Sequence, residues 1–318
     1  MAAKPLIVVA LGGNAISRPE QEGNVDQQFD NSRATATALA DLIGTGHQLV
    51  ITHGNGPQIG NFLLRNEAAA DAIYPLPMEV AVAHVQGGMG YMIAQTLGNE
   101  LASRGRTDPV TAIVTSIEVD HDDPSFEHPT KPIGRVLSKT EAQRFRIGEG
   151  WAVKEIAPGK FRRVVASPLP RRIVEIDTIR RGVAAGETLV VCGGGGIPVT
   201  RDSAGALYGV AAVIDKDLAS ALLAAQLGAD ALIILTNVDR VSLDFGNPGE
   251  RPIESMTLAE ARRHLDDGQF PPGSMGPKVQ GAIRFLESTD RPGAVVIIGP
   301  LCRAVDAVVG RIGTRITK

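Results

Sequence analysis

The chain is predicted to adopt an α/β fold, a three-layer αβα sandwich around a central, mostly parallel sheet. Two observations predict it. Six short apolar runs are unbroken rather than alternating, as strands covered on both faces require. Stretches with helical spacing or good helix formers separate them, and strand–helix alternation is the pattern of a parallel or mixed sheet with helices on either side. Such sheets bind ligands beyond the carboxyl ends of their strands.

In chain order, the first run is 6–11. It is shorter than the apolar stretch of a signal peptide and meets Gly12-Gly13-Asn14 at once, so it reads as a buried strand. A helix is expected over 28–42. The second strand, 49–52, runs into His53-Gly54-Asn55-Gly56-Pro57, where Pro57 suits the first turn of a helix over 57–72. A long helix over 80–103 precedes the third strand, 110–115. The rhythm then breaks over 121–172, a proline-studded segment read as a long irregular insertion. From Lys131 to Arg172 it carries 11 Lys/Arg against 3 Asp/Glu, a local charge of +8. Insertions of this length are commonly functional, often lids, the alternative being a solvated basic loop. The fourth strand, 188–192, leads into Gly193-Gly194-Gly195-Gly196-Ile197-Pro198. A helix over 215–227 follows, then a strand over 231–235 that ends in Thr236-Asn237-Val238-Asp239. Helices over 258–265 and 277–287 and a strand over 294–298 complete the pattern.

The 318 residues suffice for one large α/β domain or two smaller ones. With 32 Lys+Arg against 35 Asp+Glu, the net charge of −3 argues against a protein that coats nucleic acid. Only Phe145, Trp151 and Phe161 could stack bases within the basic insertion, and its flanks are acidic. Cys192 and Cys302 make no disulfide framework and fit a reducing, cytoplasmic setting. No apolar run approaches the ~18 residues of a membrane span. Neither nucleic acid nor membrane is therefore expected as a partner.

Three strands run straight into glycine, at Gly12-Gly13, at Gly54-Asn55-Gly56 and at residues 193–196. Glycine lets backbone N–H groups approach a ligand closely, and a following helix N-terminus adds partial positive charge. The repeated feature points to a polyanion site. It is not a P-loop, because no Gly-x-x-x-x-Gly-Lys-Ser/Thr occurs, and the dinucleotide fingerprint fails at both candidate positions. Three lysines stand in constrained settings: Lys131 between prolines, Lys216 between Asp215 and Asp217 at a helix start, and Lys278 after a Pro/Gly-rich turn. Positioned cations are what phosphoryl transfer needs. The alternatives are an ordinary surface lysine at 131 and an Asp/Lys helix cap at 215–217. Asn237 and Asp239 lie at a ligand edge or in a polar turn. His53 reads as a strand-end packing or hydrogen-bonding group. His121 and His128 lack the spacing of a zinc site.

Taken together, Val8-Val9-Ala10-Leu11-Gly12-Gly13-Asn14-Ala15, His53-Gly54-Asn55-Gly56-Pro57-Gln58, Pro129-Thr130-Lys131-Pro132-Ile133-Gly134, residues 192–198, Val213-Ile214-Asp215-Lys216-Asp217 and Pro272-Gly273-Ser274-Met275 resemble the carbamate kinases of the amino acid kinase superfamily. Related small-acid kinases carry a lysine on the first strand where Ala10 stands here. The resemblance implies that Lys131, from the insertion, takes that place. It implies one amino acid kinase domain over 1–318. A lobe over 1–187 would bind carbamate or carbamoyl phosphate, with 121–172 as a protruding lid, and a lobe over 188–318 would bind nucleotide. Lys131 and Lys216 would flank the moving phosphoryl group, with Asp215 orienting them. Gly12, Gly13, Asn14, Gly54, Asn55 and Gly56 would hold the substrate. Gly194, Gly195, Lys216, Thr236, Asn237, Asp239, Met275 and Lys278 would hold ATP or ADP, with Mg²⁺ carried by the nucleotide rather than by a protein metal site. A homodimer is implied, and so is the reaction ATP + carbamate ⇌ ADP + carbamoyl phosphate, often run toward ATP in arginine catabolism. Asn237, Arg240 and Gly276 depart from the family pattern on the nucleotide side. The competing readings are another small-acid kinase of the superfamily, a silent nucleotide-binding sensor and a nicotinamide oxidoreductase.

Overall fold

The computed structural model describes residues 4–18 and 20–318, without the side chain of Asn14. An eight-stranded sheet runs through the molecule in the order Ser255–Thr257, Thr314–Thr317, Val295–Pro300, Ala231–Thr236, Leu6–Leu11, Gln48–His53, Thr188–Val190 and Val110–Ala112. Neighbours are parallel except Val295–Pro300 with Thr314–Thr317. The six strands expected from the sequence form one contiguous block of this sheet. The two others sit at one edge. They are short and largely polar, with Met256 and Ile316 as their buried apolar members, so they carry no continuous apolar run.

The central strand explains the layering. Leu6, Val8 and Ala10 enter one core with residues of the helices Lys216–Leu227 and Met275–Ser288. Ile7, Val9 and Leu11 enter the other with the helices Val25–Gly44 and Met78–Ser103. Successive side chains of a strand point to opposite faces, so an all-apolar strand demands cover on both. Fully burying one such side chain is worth about 1.5–3 kcal/mol. No helix among the described residues is long and apolar enough to cross a membrane.

Registry places the functional loops. Leu11 is opposite both His53 and Leu235, so three neighbouring parallel strands end level and their loops leave the sheet side by side. Two strands end earlier than their apolar runs. The third covers only Val110–Ala112, and the fourth stops at Val190 because Cys192 turns left-handed, with φ 51°.

The insertion is not irregular, contrary to the expectation. It forms an antiparallel sheet of Lys131–Leu137, Lys160–Val165 and Val153–Ala157, joined by the helix Lys139–Gly148. The sequence does carry a signal for this helix: Ser138 and Glu141 make a capping box at its start, the S-x-x-E signature. Leu137, Ala142, Phe145 and Val153 make a private core, against which Trp151 and Phe161 pack. Trp151 stacks on Phe145 with ring centroids 4.2 Å apart, and the Arg163 guanidinium covers its outer face at 4.3 Å. The insertion's aromatics are thus engaged with each other. Its first strand lies against the helix Gly56–Ala68, where a Cβ on Gly60 would stand 3.3 Å from the Gly134 Cα.

Phe145→Ala should therefore loosen the insertion selectively. Removing a buried Phe costs about 3–5 kcal/mol. Hydrogen exchange across 131–165 should accelerate strongly while the eight-stranded sheet keeps its protection.

Candidate active site

Five charged side chains from three distant parts of the chain meet above the carboxyl ends of the strands. Asp215 is the N-cap of the helix Lys216–Leu227. Its Oδ1 accepts the Asp217 N–H at 2.8 Å, as N-cap aspartates do. Its Oδ2 accepts from Lys131 Nζ at 2.9 Å, across 84 residues of sequence. One residue on from the cap, Lys216 Nζ donates to Asp217 Oδ1 at 2.6 Å, and Lys278 Nζ donates to Asp217 Oδ2 at 2.9 Å. The carboxylate of Asp217 is thus gripped at both oxygens, with its side chain only 5% exposed. Lys278 reaches it because its helix packs backbone against backbone: a Cβ on Gly281 would stand 2.8 Å from Asp217 O. Ser220 Oγ donates to Lys216 O at 2.7 Å and meets Thr52 Oγ1 at 2.6 Å, tying the helix start to the neighbouring strand.

Burial alone would raise the Asp217 carboxyl, but the two ammonium groups and their hydrogen bonds pull it down to about 2. Burial drives Lys216 the other way, below the ordinary lysine value, and Lys278 adds to that, while Asp217 pulls it back. The cluster holds three ammonium groups and two carboxylates, and a site with that balance favours a further anion.

The glycine loops close around it. A Cβ on Gly54 would stand 3.3 Å from Gly13 N and 3.5 Å from Lys216 Cδ, so the first two loops and Lys216 are in mutual contact. Gly12 lies against the Leu235 carbonyl. The helix Gly56–Ala68 begins at Asn55 with no side chain capping it. Residues 193–196 pack beneath: a Cβ at Gly193 would enter the His53 ring, one at Gly194 the Asn55 amide, one at Gly195 the Ile214 carbonyl. Gly194 has φ +67° and Gly195 +95°, conformations that a side chain would also strain. Gln86, buried in the helix Met78–Ser103, holds this turn by donating to Gly193 O at 2.9 Å and by bonding Thr115. His53 is buried, and burial lowers its pKa to about 4, so it is neutral and serves packing.

Beside the cluster opens a cavity of about 920 Å³. Thr236, Asn237, Asp239, Met275 and Lys278 line it, together with Phe245. A second cavity, of about 400 Å³, shares Thr236, Asn237 and Asp239 with it and extends to Gly12. The structure therefore gathers Lys131, Lys216, Asp215, Lys278, Gly12, Gly13 and Gly54, with Asn55 and Gly56 at the adjoining helix start. The side chain of Asn14 lies outside the described residues. Gly194 and Gly195 are buried under Asn55 and Ile214 rather than on the cavity wall. Of the departures, Arg240 lines the cavity with its Nη1 2.9 Å from Glu254 Oε1, and Gly276 donates its N–H to Pro271 O at 2.9 Å, where a Cβ would stand a tight 3.0 Å from that oxygen. Among the described residues, no group of three or more His, Cys, Asp or Glu is placed to hold a metal ion.

The sequence profile of the Amino acid kinase family matches residues 5–297. The chain belongs to the amino acid kinase family. Within it, the chain is 44% identical to a carbamate kinase of Pyrococcus horikoshii, with 98% of each chain covered. It is 44% identical to a carbamate kinase of Clostridium perfringens, over 98% of this chain and 99% of that one. A solved carbamate kinase of Giardia lamblia bound to AMP-PNP superposes with a TM-score of 0.92, at 39% identity and with both chains fully covered. Membership accounts for the αβα architecture, and the near-full-length similarity to carbamate kinases marks this chain as a kinase, a phosphotransferase. Sequence reasoning put Asp215 in charge of both lysines. The structure instead divides them between two carboxylates. Asp215 takes Lys131, while Asp217 takes Lys216 and Lys278. The Asp-Lys-Asp spacing was visible, but only the packing at Gly281 shows which carboxylate meets Lys278.

Asp217→Asn should destabilise the fold by about 3–5 kcal/mol at neutral pH, because it leaves buried ammonium groups without their counter-charge. In the native protein the depressed carboxyl contributes stability that is complete above the ordinary aspartate value of 3.8 and is lost as pH falls toward about 2. Urea denaturation between pH 7 and pH 2 checks both points, and the variant should lack that acid-dependent component.

The depressed Lys216 predicts a second pH effect. Activity that needs its charge should decline on the alkaline side below the ordinary lysine value of 10.5. A pH profile of kcat/KM, which reports the free protein, flat through that value would contradict it.

Proposed function

We propose that this protein is a carbamate kinase and catalyses ATP + carbamate ⇌ ADP + carbamoyl phosphate. The observation that carries the reading is the convergence of Lys131 and Lys216, held by Asp215 and Asp217, over the glycine loops and beside the large cavity. Near-full-length similarity to proteins named carbamate kinase supports it, as does the AMP-PNP bound by the Giardia lamblia relative.

In this reading the nucleotide occupies the cavity lined by Thr236, Asn237, Asp239 and Met275, its phosphates reaching Lys278 and Lys216. The acceptor lies over Gly12, Gly13, Gly54, Asn55 and Gly56. The carbamate oxygen is already anionic, so no general base is needed, in agreement with a neutral, buried His53. That oxygen forms a bond to the γ-phosphorus as the bond to the β–γ bridging oxygen breaks, and the electron pair leaves on ADP. Lys131 and Lys216 offset the repulsion between the two anions and stabilise charge on the transferring group. Mg²⁺ is handled by the nucleotide. Both oxygens of Asp217 accept from lysines, and those of Asp215 from Lys131 and the Asp217 N–H. The halves 1–187 and 188–318 then act as acceptor and nucleotide lobes, and the insertion as a lid that delivers Lys131. Assembly as a homodimer, a cytoplasmic setting and operation toward ATP in arginine breakdown belong to the same proposal.

The deciding experiment is ATP formation from ADP and carbamoyl phosphate, with acetylglutamate and aspartate as alternative acceptors in the forward direction. Activity with the carbamoyl compound alone supports the reading, and none with it sinks it. Lys131→Ala and Lys216→Ala should each lower kcat by roughly 10²–10³, the scale for losing a preorganised electrostatic donor. Wild-type turnover by either variant would remove that residue from the chemistry.

A further inference from the structure

A threonine stands where the sheet would accept a valine. In the strand Gln48–His53, Leu49, Val50 and Ile51 are buried apolar residues. Thr52 is wholly buried as well, on the same face as Val50, and meets the helix Lys216–Leu227. Valine has the same shape, and β-branched side chains suit a strand. A hydroxyl taken out of water is unfavourable unless it is hydrogen-bonded, so its presence among apolar neighbours calls for a reason.

The direction of the bonds is fixed. The Lys216 carbonyl can only accept, so Ser220 Oγ, 2.7 Å away, donates to it. The Ser220 proton is then committed, and the 2.6 Å contact between Ser220 Oγ and Thr52 Oγ1 has Thr52 as its donor. This chain of hydroxyls joins residues 168 apart in sequence and ends on the backbone of the lysine in the charged cluster.

Two residues beyond Thr52, the same strand has become the loop of the proposed acceptor site. A Cβ on Gly54 would stand 3.5 Å from Lys216 Cδ, so the stem of the lysine runs in contact with that loop. The ammonium is held at 2.6 Å by Asp217 Oδ1. Asp217 belongs to the same helix and moves with it, so that bond alone leaves the distance from Lys216 to the loop open. The hydroxyl chain closes it, because it ties the helix start to the strand that carries Gly54. A valine at this position would put a methyl where the hydroxyl lies. A methyl cannot approach an oxygen as closely as 2.6 Å, so the helix start would have to retreat.

We propose that Thr52 is a positioning residue for Lys216: through Ser220 and the Lys216 carbonyl, its hydroxyl sets the separation between the loop at Gly54 and the ammonium that meets the phosphoryl group. This inference rests on the carbamate kinase reading in one respect, that Lys216 meets the transferring group.

The test is ATP formation by the full-length protein from ADP and carbamoyl phosphate. Thr52→Val should lower kcat about tenfold and leave KM for either substrate within about twofold, because the ammonium is misplaced rather than removed. Thr52→Ser keeps the hydroxyl and should hold kcat within about twofold of the wild-type value. If Thr52→Val does not fold, Ser220→Ala, which breaks the same chain without adding bulk, should show the same loss in kcat. In the double variant the losses should not multiply, since both changes break one chain. Wild-type kcat in Thr52→Val and Ser220→Ala would mean that the hydroxyls only satisfy each other, and would overturn the proposal. So would a Thr52→Ser variant as slow as Thr52→Val, or a loss confined to KM. Lys216→Ala in the same assay separates the proposal from the reading beneath it. Wild-type turnover there would overturn the role of Lys216 itself, whereas an impaired Lys216→Ala beside an unimpaired Thr52→Val overturns the proposal alone.

Discussion

One buried carboxylate organises the charged centre of this molecule. Asp217 has an ammonium group on each oxygen and almost no exposure to water. Buried charges are costly unless they are paired and fully hydrogen-bonded, so three side chains that would each be unfavourable alone become mutually necessary. The arrangement also fixes geometry. A helix start, a second helix and the end of a strand are joined through Asp217, Lys216, Lys278, Ser220 and Thr52, and the lysines lose the freedom that long side chains have on a surface. Two fixed cations beside an open cavity are a standing preference for anions.

The sheet makes that convergence possible. In a parallel sheet with level strand ends, loops separated by more than a hundred residues leave side by side, and glycine at those ends lets them touch. Gly12 abuts the Leu235 carbonyl, Gly54 abuts Gly13 and Lys216, and residues 193–196 sit flush against His53, Asn55 and Ile214. Side chains at these places would separate the loops or displace the Asn55 amide. Here glycine is required as much for close approach as for backbone angle.

The insertion shows how a peripheral element is made rigid enough to carry a functional cation. Its aromatic stack and capping box give it a core and a helix of its own, and the contact between Gly60 and Gly134 seats it on the main body. Lys131 stands at the beginning of its first strand, which lies against the helix Gly56–Ala68, and there it reaches Asp215. The basic charge of the segment is engaged partly inside it, as with Arg163 over Trp151.

The six contiguous strands with apolar runs, six of the helices and the lysine and glycine motifs could be read from the chain alone, because continuous apolarity, helical period and glycine at strand ends are local properties. The short strands Ser255–Thr257 and Thr314–Thr317 could not, since pairing defines them and hydrophobicity does not. The order within the insertion was half legible: the Ser138–Glu141 cap was there to be found, whereas the stacking of Trp151 on Phe145 joins residues that no periodicity links. That Lys131, Lys216 and Lys278 matter was readable from their constrained settings. Which carboxylate holds which lysine was settled by packing. Partners in an ion pair or a hydrogen bond are chosen by distance in space, and that distance exists only once the helices have docked on the sheet.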